Sequence, residues 1–288
     1  KWETPVPSGL TNVPPATGDG VIALTARDGF FAFDRKSGAP LWESRTTEMT
    51  STVQVGGGVV VTATYEGRLT VHDARTGVAR WEVVMPGGVG AVPAIDPETG
   101  TVVAIWQGGA PADGRMLALD LATGAKRWVV QLFNGASAPV VGDGVVIVGG
   151  GDRRIYAFSV ADGAMRWSLE TDGAFESHID PVIGDGEVVV VDRLGTVSLV
   201  QVATGDLLWR TPLDDAVIDG RPVLTPRRVV VTTFGNRRLV VLDRRSGKVV
   251  HDLRPEGLIH TIARSGDLGL LHVGFRLTDP GRIESWRL

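Results

Sequence analysis

ALDLATGAKRW, residues 118–128, is the stretch whose reading decides the fold. It runs as the end of a strand, an Asp, a Thr-Gly turn and a return strand closing on Trp. Aspartate before a tight turn can hydrogen-bond the backbone two residues on. Glycine supplies the positive φ that such a turn demands. The same sentence recurs as AFDRKSGAPLW (32–42), VHDARTGVARW (71–81), AFSVADGAMRW (157–167), LVQVATGDLLW (199–209) and VLDRRSGKVVH (241–251). The turn glycines Gly38, Gly77, Gly124, Gly163, Gly205 and Gly247 are spaced by 39, 47, 39, 42 and 42 residues. A period near 40 with short strands marks a propeller blade or a β-solenoid.

Each unit has a front half as well. In the fourth it reads SAPVVGDGVVIVGGGDRRIYAFSV, with a Pro-containing strand at 137–141, a Gly-Asp-Gly turn and a β-branched run at 145–148. Four strands per unit follow, here lettered A to D. The B runs VVVTAT (59–64), VVVV (188–191) and VVVTT (229–233) are apolar on both faces, as expected of strands sandwiched between neighbouring sheets. Trp42, Trp81, Trp128, Trp167 and Trp209 end the D strands, where each can pack on the next unit and bury ~150–250 Å². Their expected role is structural docking.

A seventh unit begins at IHTIA (259–263), continues through LGLLHVGF (268–275) and stops after GRIESWRL (281–288), one strand short. Lys1-Trp2-Glu3 matches Arg80-Trp81-Glu82, so the N-terminus is expected to supply the missing D strand, with Trp2 as a sixth docking residue. Such closure removes two sheet edges that would otherwise invite pairing. The expectation is an all-β, seven-bladed β-propeller of four-stranded antiparallel blades, one domain over residues 1–288, its last blade closed by the N-terminal strand.

The A-x-D-x-x-T-G-x-x-x-W pattern resembles the tryptophan-docking motif of the PQQ-like, quinoprotein-type β-propeller repeat family, and the resemblance covers essentially the whole chain. That family divides between quinoprotein alcohol dehydrogenases and non-catalytic propellers. The latter include BamB-type lipoproteins of outer-membrane assembly and extracytoplasmic sensor regions of bacterial Ser/Thr kinases. The resemblance to the dehydrogenases implies longer, eight-bladed chains with a vicinal Cys pair and an acid/amide set for Ca²⁺; BamB-type proteins are likewise eight-bladed. This chain has no Cys and counts seven units, so no catalytic residue is carried over and no cofactor is expected.

Composition narrows the function. A formal net charge of −4, from 29 basic and 33 acidic residues, argues against a nucleic-acid partner. Without cysteine, disulfides and thiol catalysis are excluded. The chain opens at Lys1 rather than Met and is expected to be a processed or trimmed form, with any membrane tether in a region it lacks. A monomer outside the cytoplasm is the expected state: periplasmic, surface-held or secreted.

Propeller sites lie at one end of a central channel, lined by D–A and B–C loops and the first residues of strand A. Blades one to four place small or apolar residues there, such as Ala136, Ser137 and Ala138. Blades five to seven differ. Glu176, His178 and Asp180 precede Pro181; Asp219 and Arg221 flank Gly220; His260 follows Ile259. Two readings stay open. An Asp180–Arg221 bridge can plug the mouth and satisfy itself, since buried charges need partners. Alternatively, the arc binds a protein, peptide or small ligand. His178 and Asp180, two apart on a strand, share a face, and zinc would want a third ligand such as His260; no metal is assigned. The B–C loops add Arg153, Arg154 and Arg193, offset by Asp152 and Asp192, as a mixed-charge rim. Asp214 and Asp215 are expected to be solvated, and Trp106 either stacks a ligand or packs beneath its loop. The favoured function is a binding, scaffold or sensor propeller. The alternatives are a lyase or hydrolase using the His/carboxylate cluster, or a degenerate quinoprotein.

Overall fold

A computed structural model describes residues 4–5, 9, 11, 13–89, 91–108, 113–133, 136–175, 180–215, 221–233 and 238–254, together with the backbone of Leu258–Ser265, Leu270–Arg276 and Arg282–Arg287. Among these residues the architecture is all-β, with seven antiparallel sheets in chain order. Six have four strands in simple meander order, and the seventh has three. The first sheet shows the pattern: Ala16–Gly18, Val21–Ala26, Gly29–Asp34 and Pro40–Arg45. Lys1, Trp2 and Glu3 lie outside the described residues, so the strand expected to complete the seventh sheet does too.

The chain groups into two compact units, Lys1–Asn134 with Val160–Gly163, and Gly135–Ser159 with Ala164–Leu288. In the first, Val59, Val61, Leu69 and Val71 of the second sheet pack on Val102, Ala104, Leu117 and Leu119 of the third. In the second, Val189, Val191, Val197 and Leu199 face Val229, Val231, Val240 and Leu242. The doubly apolar B runs are therefore buried on both sides; every residue of Val59–Thr64 is buried. Each fully buried Val contributes about 1.5–3 kcal/mol relative to exposure.

Three local rules repeat. Asp34, Asp73, Asp120 and Asp243 each accept backbone N–H groups from within the C–D turn through one carboxylate oxygen, as Asp120 does from Ala122 and Thr123 at 3.1 and 2.9 Å. The six turn glycines all have φ between 69° and 79°. Finally, the C–D ladder slips by one residue at the same place in six sheets: Ala118 pairs with Trp128, but Leu119 pairs with Lys126. A β-bulge bends its strand and re-aims side chains, and here it sits immediately before each docking position.

Strand A is shorter than expected. The fourth sheet has only Val140–Gly142 in place of 137–141. Pro139 has no N–H for the ladder. Upstream of it, Ser137 uses its N–H and its hydroxyl instead, donating to Gly149 O at 2.9 Å and accepting from Gly149 N–H at 2.9 Å.

Candidate functional site

The docking tryptophans place the turns. The indole N–H groups of Trp42, Trp81, Trp128, Trp167 and Trp209 donate to the backbone carbonyls of Ala74, Leu121, Val160, Val202 and Arg244 at 2.7–2.9 Å. Each ring lies against the turn glycine three residues further on; a Cβ at Gly247 would stand 2.6 Å from the Trp209 ring. Each of these five rings thus meets the following turn through a hydrogen bond and a glycine contact. In the first unit, His72 stacks on Trp42 with ring centroids 5.2 Å apart. Its Nδ1–H donates to Gly77 O at 3.2 Å, leaving Nε2 to accept from the Thr62 hydroxyl at 3.1 Å. Burial lowers the His72 pKa and keeps the ring neutral.

The candidate mouth lies at the opposite end of the blades from these turns, where the A strands begin. In the second unit Asp180 is its centre. Its Oδ2 accepts from Arg221 Nε at 2.7 Å, and its Oδ1 faces the Ala138 N–H at 3.3 Å. One carboxylate thus ties together the strand-A starts of the fourth, fifth and sixth sheets. Asp180 is 13% exposed, whereas Arg221 is 51% exposed. Arg221 makes this contact through Nε, and among the described residues its two Nη groups meet no partner.

The approach to Asp180 is pinned. Phe175, fully buried, fills the space beside Gly149, where any Cβ would overlap its ring. Phe175 N–H donates to Gly150 O at 3.2 Å. Asp192 is buried and accepts three backbone N–H groups, from Gly173, Leu194 and Thr196, at 2.8–3.0 Å.

Glu176, His178 and Asp219 lie outside the described residues. His260 falls within Leu258–Ser265, at a register shift: Ile259 pairs with Phe275 and Thr261 with Gly274. Ser51 holds the matching bulge position in the second sheet. Of the six candidate residues, the structure brings Asp180 and Arg221 into contact.

Several other expectations resolve. Trp106 packs against the core of the second and third sheets rather than standing free. Asp215 is buried, not solvated; the Arg238 pKa is raised by its hydrogen bond to Asp252, with a lesser Coulombic share from Asp215. Asp152 on the rim accepts from the Tyr156 hydroxyl; burial and that bond push the Tyr156 pKa up to about 12. Two features had no sequence signal: the buried plug made by Phe175, and the cross-blade reach of Arg244 described below.

The family model described as outer membrane protein assembly factor BamB matches residues 31–173 and, overlapping, 112–257. The chain belongs to the BamB family. A curated BamB from Bordetella pertussis is 30% identical over 117 residues, 41% of this chain and 28% of that protein. The chain therefore spans well under two thirds of that relative. BamB from Moraxella catarrhalis superposes with a TM-score of 0.63 at 19% identity, covering 99% of each chain. A europium-containing methanol dehydrogenase gives a TM-score of 0.71 at 13% identity over 95% of this chain and 77% of that one. A chain of the mitotic checkpoint complex gives 0.73 at 12% over 100% and 95%. These likenesses establish the β-propeller fold.

The quinoprotein alternative asks for a cofactor with a metal beside it, and the described residues gather no ligand set for one. There is no Cys. Among the described residues no three His, Cys, Asp or Glu side chains gather as a metal would require. The Asp180 carboxylate is already committed to Arg221 and Ala138. No step through such a group is derived for this BamB-family chain.

Proposed function

We propose that residues 1–288 form one extracytoplasmic propeller domain that binds protein, presenting the strand-A ends of its fifth and sixth blades to a partner in envelope assembly. The observation that carries this reading is Arg221. Asp180 holds its Nε, while the half-exposed guanidinium keeps both Nη groups for an incoming carboxylate or backbone carbonyl. Arginine is favoured at interfaces because its fork is pre-organised and weakly hydrated. Family membership supports the same reading, because the matching model is described as an assembly factor for outer membrane proteins. The docked turns build the scaffold, and the departures from the repeat supply the contacts. Glu176, His178, Asp219 and His260 belong to the same proposed surface. The domain acts as a monomer on a protein partner rather than on nucleic acid.

The test is retention of envelope proteins from the source bacterium on the tagged chain. A protein should be held by wild type and by Lys36→Glu on the C–D turn of the first sheet, and lost at least tenfold by Arg221→Glu. Equal retention by both variants, or no protein retained, contradicts the reading.

A further inference from the structure

In the second unit, a cavity of about 550 Å³ opens at the turn end of the fifth and sixth sheets, far along the blades from Asp180. Two arginine doublets converge on it, Arg227-Arg228 from the A–B turn and Arg244-Arg245 from the C–D turn. The A–B turns of the first, fourth and fifth units read Gly-Asp-Gly; the sixth reads Thr-Pro-Arg-Arg, residues 225–228.

Each doublet divides its work. Arg244, 10% exposed, has four of its five N–H donors engaged: Nε donates to Glu187, Nη1 to Asp185 and Thr225 O, and Nη2 to Gly184 O, all at 2.7–3.1 Å. Arg228 pairs with Asp243 at 2.8 Å. These two arginines use all three carboxylates that line the cavity. Arg227 and Arg245 remain, both exposed, with no side-chain partner among the described residues. The backbone of Arg227 is nevertheless fixed. Its carbonyl accepts from Arg244 N–H at 3.0 Å and from Arg228 Nη1 at 3.2 Å, and its N–H faces the Thr225 hydroxyl at 3.4 Å.

We infer that this cavity is a binding site for a ligand carrying two or more oxyanion groups, held between Arg227 and Arg245. Guanidinium forks match carboxylate and phosphate bidentately. The volume falls in the range of small-molecule sites. Arg244 and the Arg228–Asp243 pair form its floor, and the outer pair, which faces no carboxylate, supplies net positive charge at its lip. The site is independent of the protein-binding surface at Arg221.

The experiment is titration calorimetry of the whole protein at low salt with inorganic pyrophosphate and, separately, with citrate. Saturable binding of at least one probe is expected, weakened at least tenfold in Arg227→Ala/Arg245→Ala. Lys36→Ala should bind as wild type, and the double variant should melt as wild type. Pyrophosphate alone binding identifies a phosphoryl ligand, citrate alone a polycarboxylate, and both a general oxyanion site. No saturable binding of either probe, or binding unchanged in the double variant, overturns the inference.

Discussion

Trp209 and Arg244 are joined twice over. The Trp209 indole N–H donates to the Arg244 carbonyl at 2.7 Å, and its ring covers Gly247 of the same turn. The Arg244 side chain reaches back to Asp185 and Glu187 of the sheet that carries Trp209. Each of the two sheets therefore holds the other, through a ring and through an ion cluster.

That double latch predicts a graded loss. Trp209→Phe keeps most of the ring but removes one hydrogen bond and leaves a carbonyl unsatisfied, costing about 1–3 kcal/mol. Trp209→Ala also opens a cavity and should cost about 3–5 kcal/mol. Gly247→Ala is strained by its φ of 69° and meets the ring, so it should destabilise as well. Urea unfolding of the three variants gives the ordering, Trp209→Ala being worse than Trp209→Phe.

The turn aspartates predict acid sensitivity. The Arg127 side chain, then Thr123, lowers the Asp120 pKa to about 2; Arg75 and Arg80 hold Asp34 and Asp73 well below the ordinary carboxylate range. The unfolded chain titrates near pH 3.9. Stability from these groups is complete above that value and drains away as pH falls toward 2. Melting temperature should drop steeply between about pH 4 and pH 2, and less steeply in Asp120→Asn. An identical slope in that variant would remove Asp120 from the account.

His72 titrates with the opposite charge sense and the same direction of loss. Neutral in the fold, it binds a proton in the unfolded chain near pH 6.5. Its contribution is therefore lost as pH falls from about 6.5 toward its lowered folded value. His72→Gln should flatten the stability curve in that window, measured by denaturant midpoint at each pH.

Thr4 bears on closure. Its hydroxyl donates to Gly38 O at 2.7 Å, and Thr211, two residues after Trp209, donates to Gly247 O at 2.8 Å. Thr4 stands two residues after Trp2, so the docking register is the same. We expect Trp2 to occupy Gly38 as Trp209 occupies Gly247. Deleting residues 1–5 should lower the melting temperature by several degrees; an unchanged melt would contradict closure by the N-terminal strand.

Much of this was legible beforehand because the repeat is governed by short-range rules. Turn aspartates, positive-φ glycines and doubly apolar B strands each follow from local chemistry, and all appear as read. The docking tryptophans were legible as residues, but their carbonyl acceptors lie 32–40 residues away and have no side-chain signature. The bulge before each Trp is a backbone slip without a marker residue. Asp215 was misjudged because a charged pair in a loop reads as solvated, whereas tertiary packing buries it. Arg244 looked like any surface Arg in a turn; only the fold brings Asp185 and Glu187 to it. At the mouth, the Asp180–Arg221 pair was foreseeable from complementary charge at equivalent repeat positions, while Phe175 was hidden among ordinary core aromatics.

The central claim is that the repeat builds the scaffold and its departures make the binding surface. It is tested most directly by measuring, side by side, partner retention and melting temperature for Arg221→Glu and Trp209→Phe. The account predicts that Arg221→Glu loses the retained partner at least tenfold even when assayed fully folded below its own melting temperature, while Trp209→Phe melts lower yet retains the partner when folded. Loss of partner in step with loss of stability, in both variants alike, would contradict it.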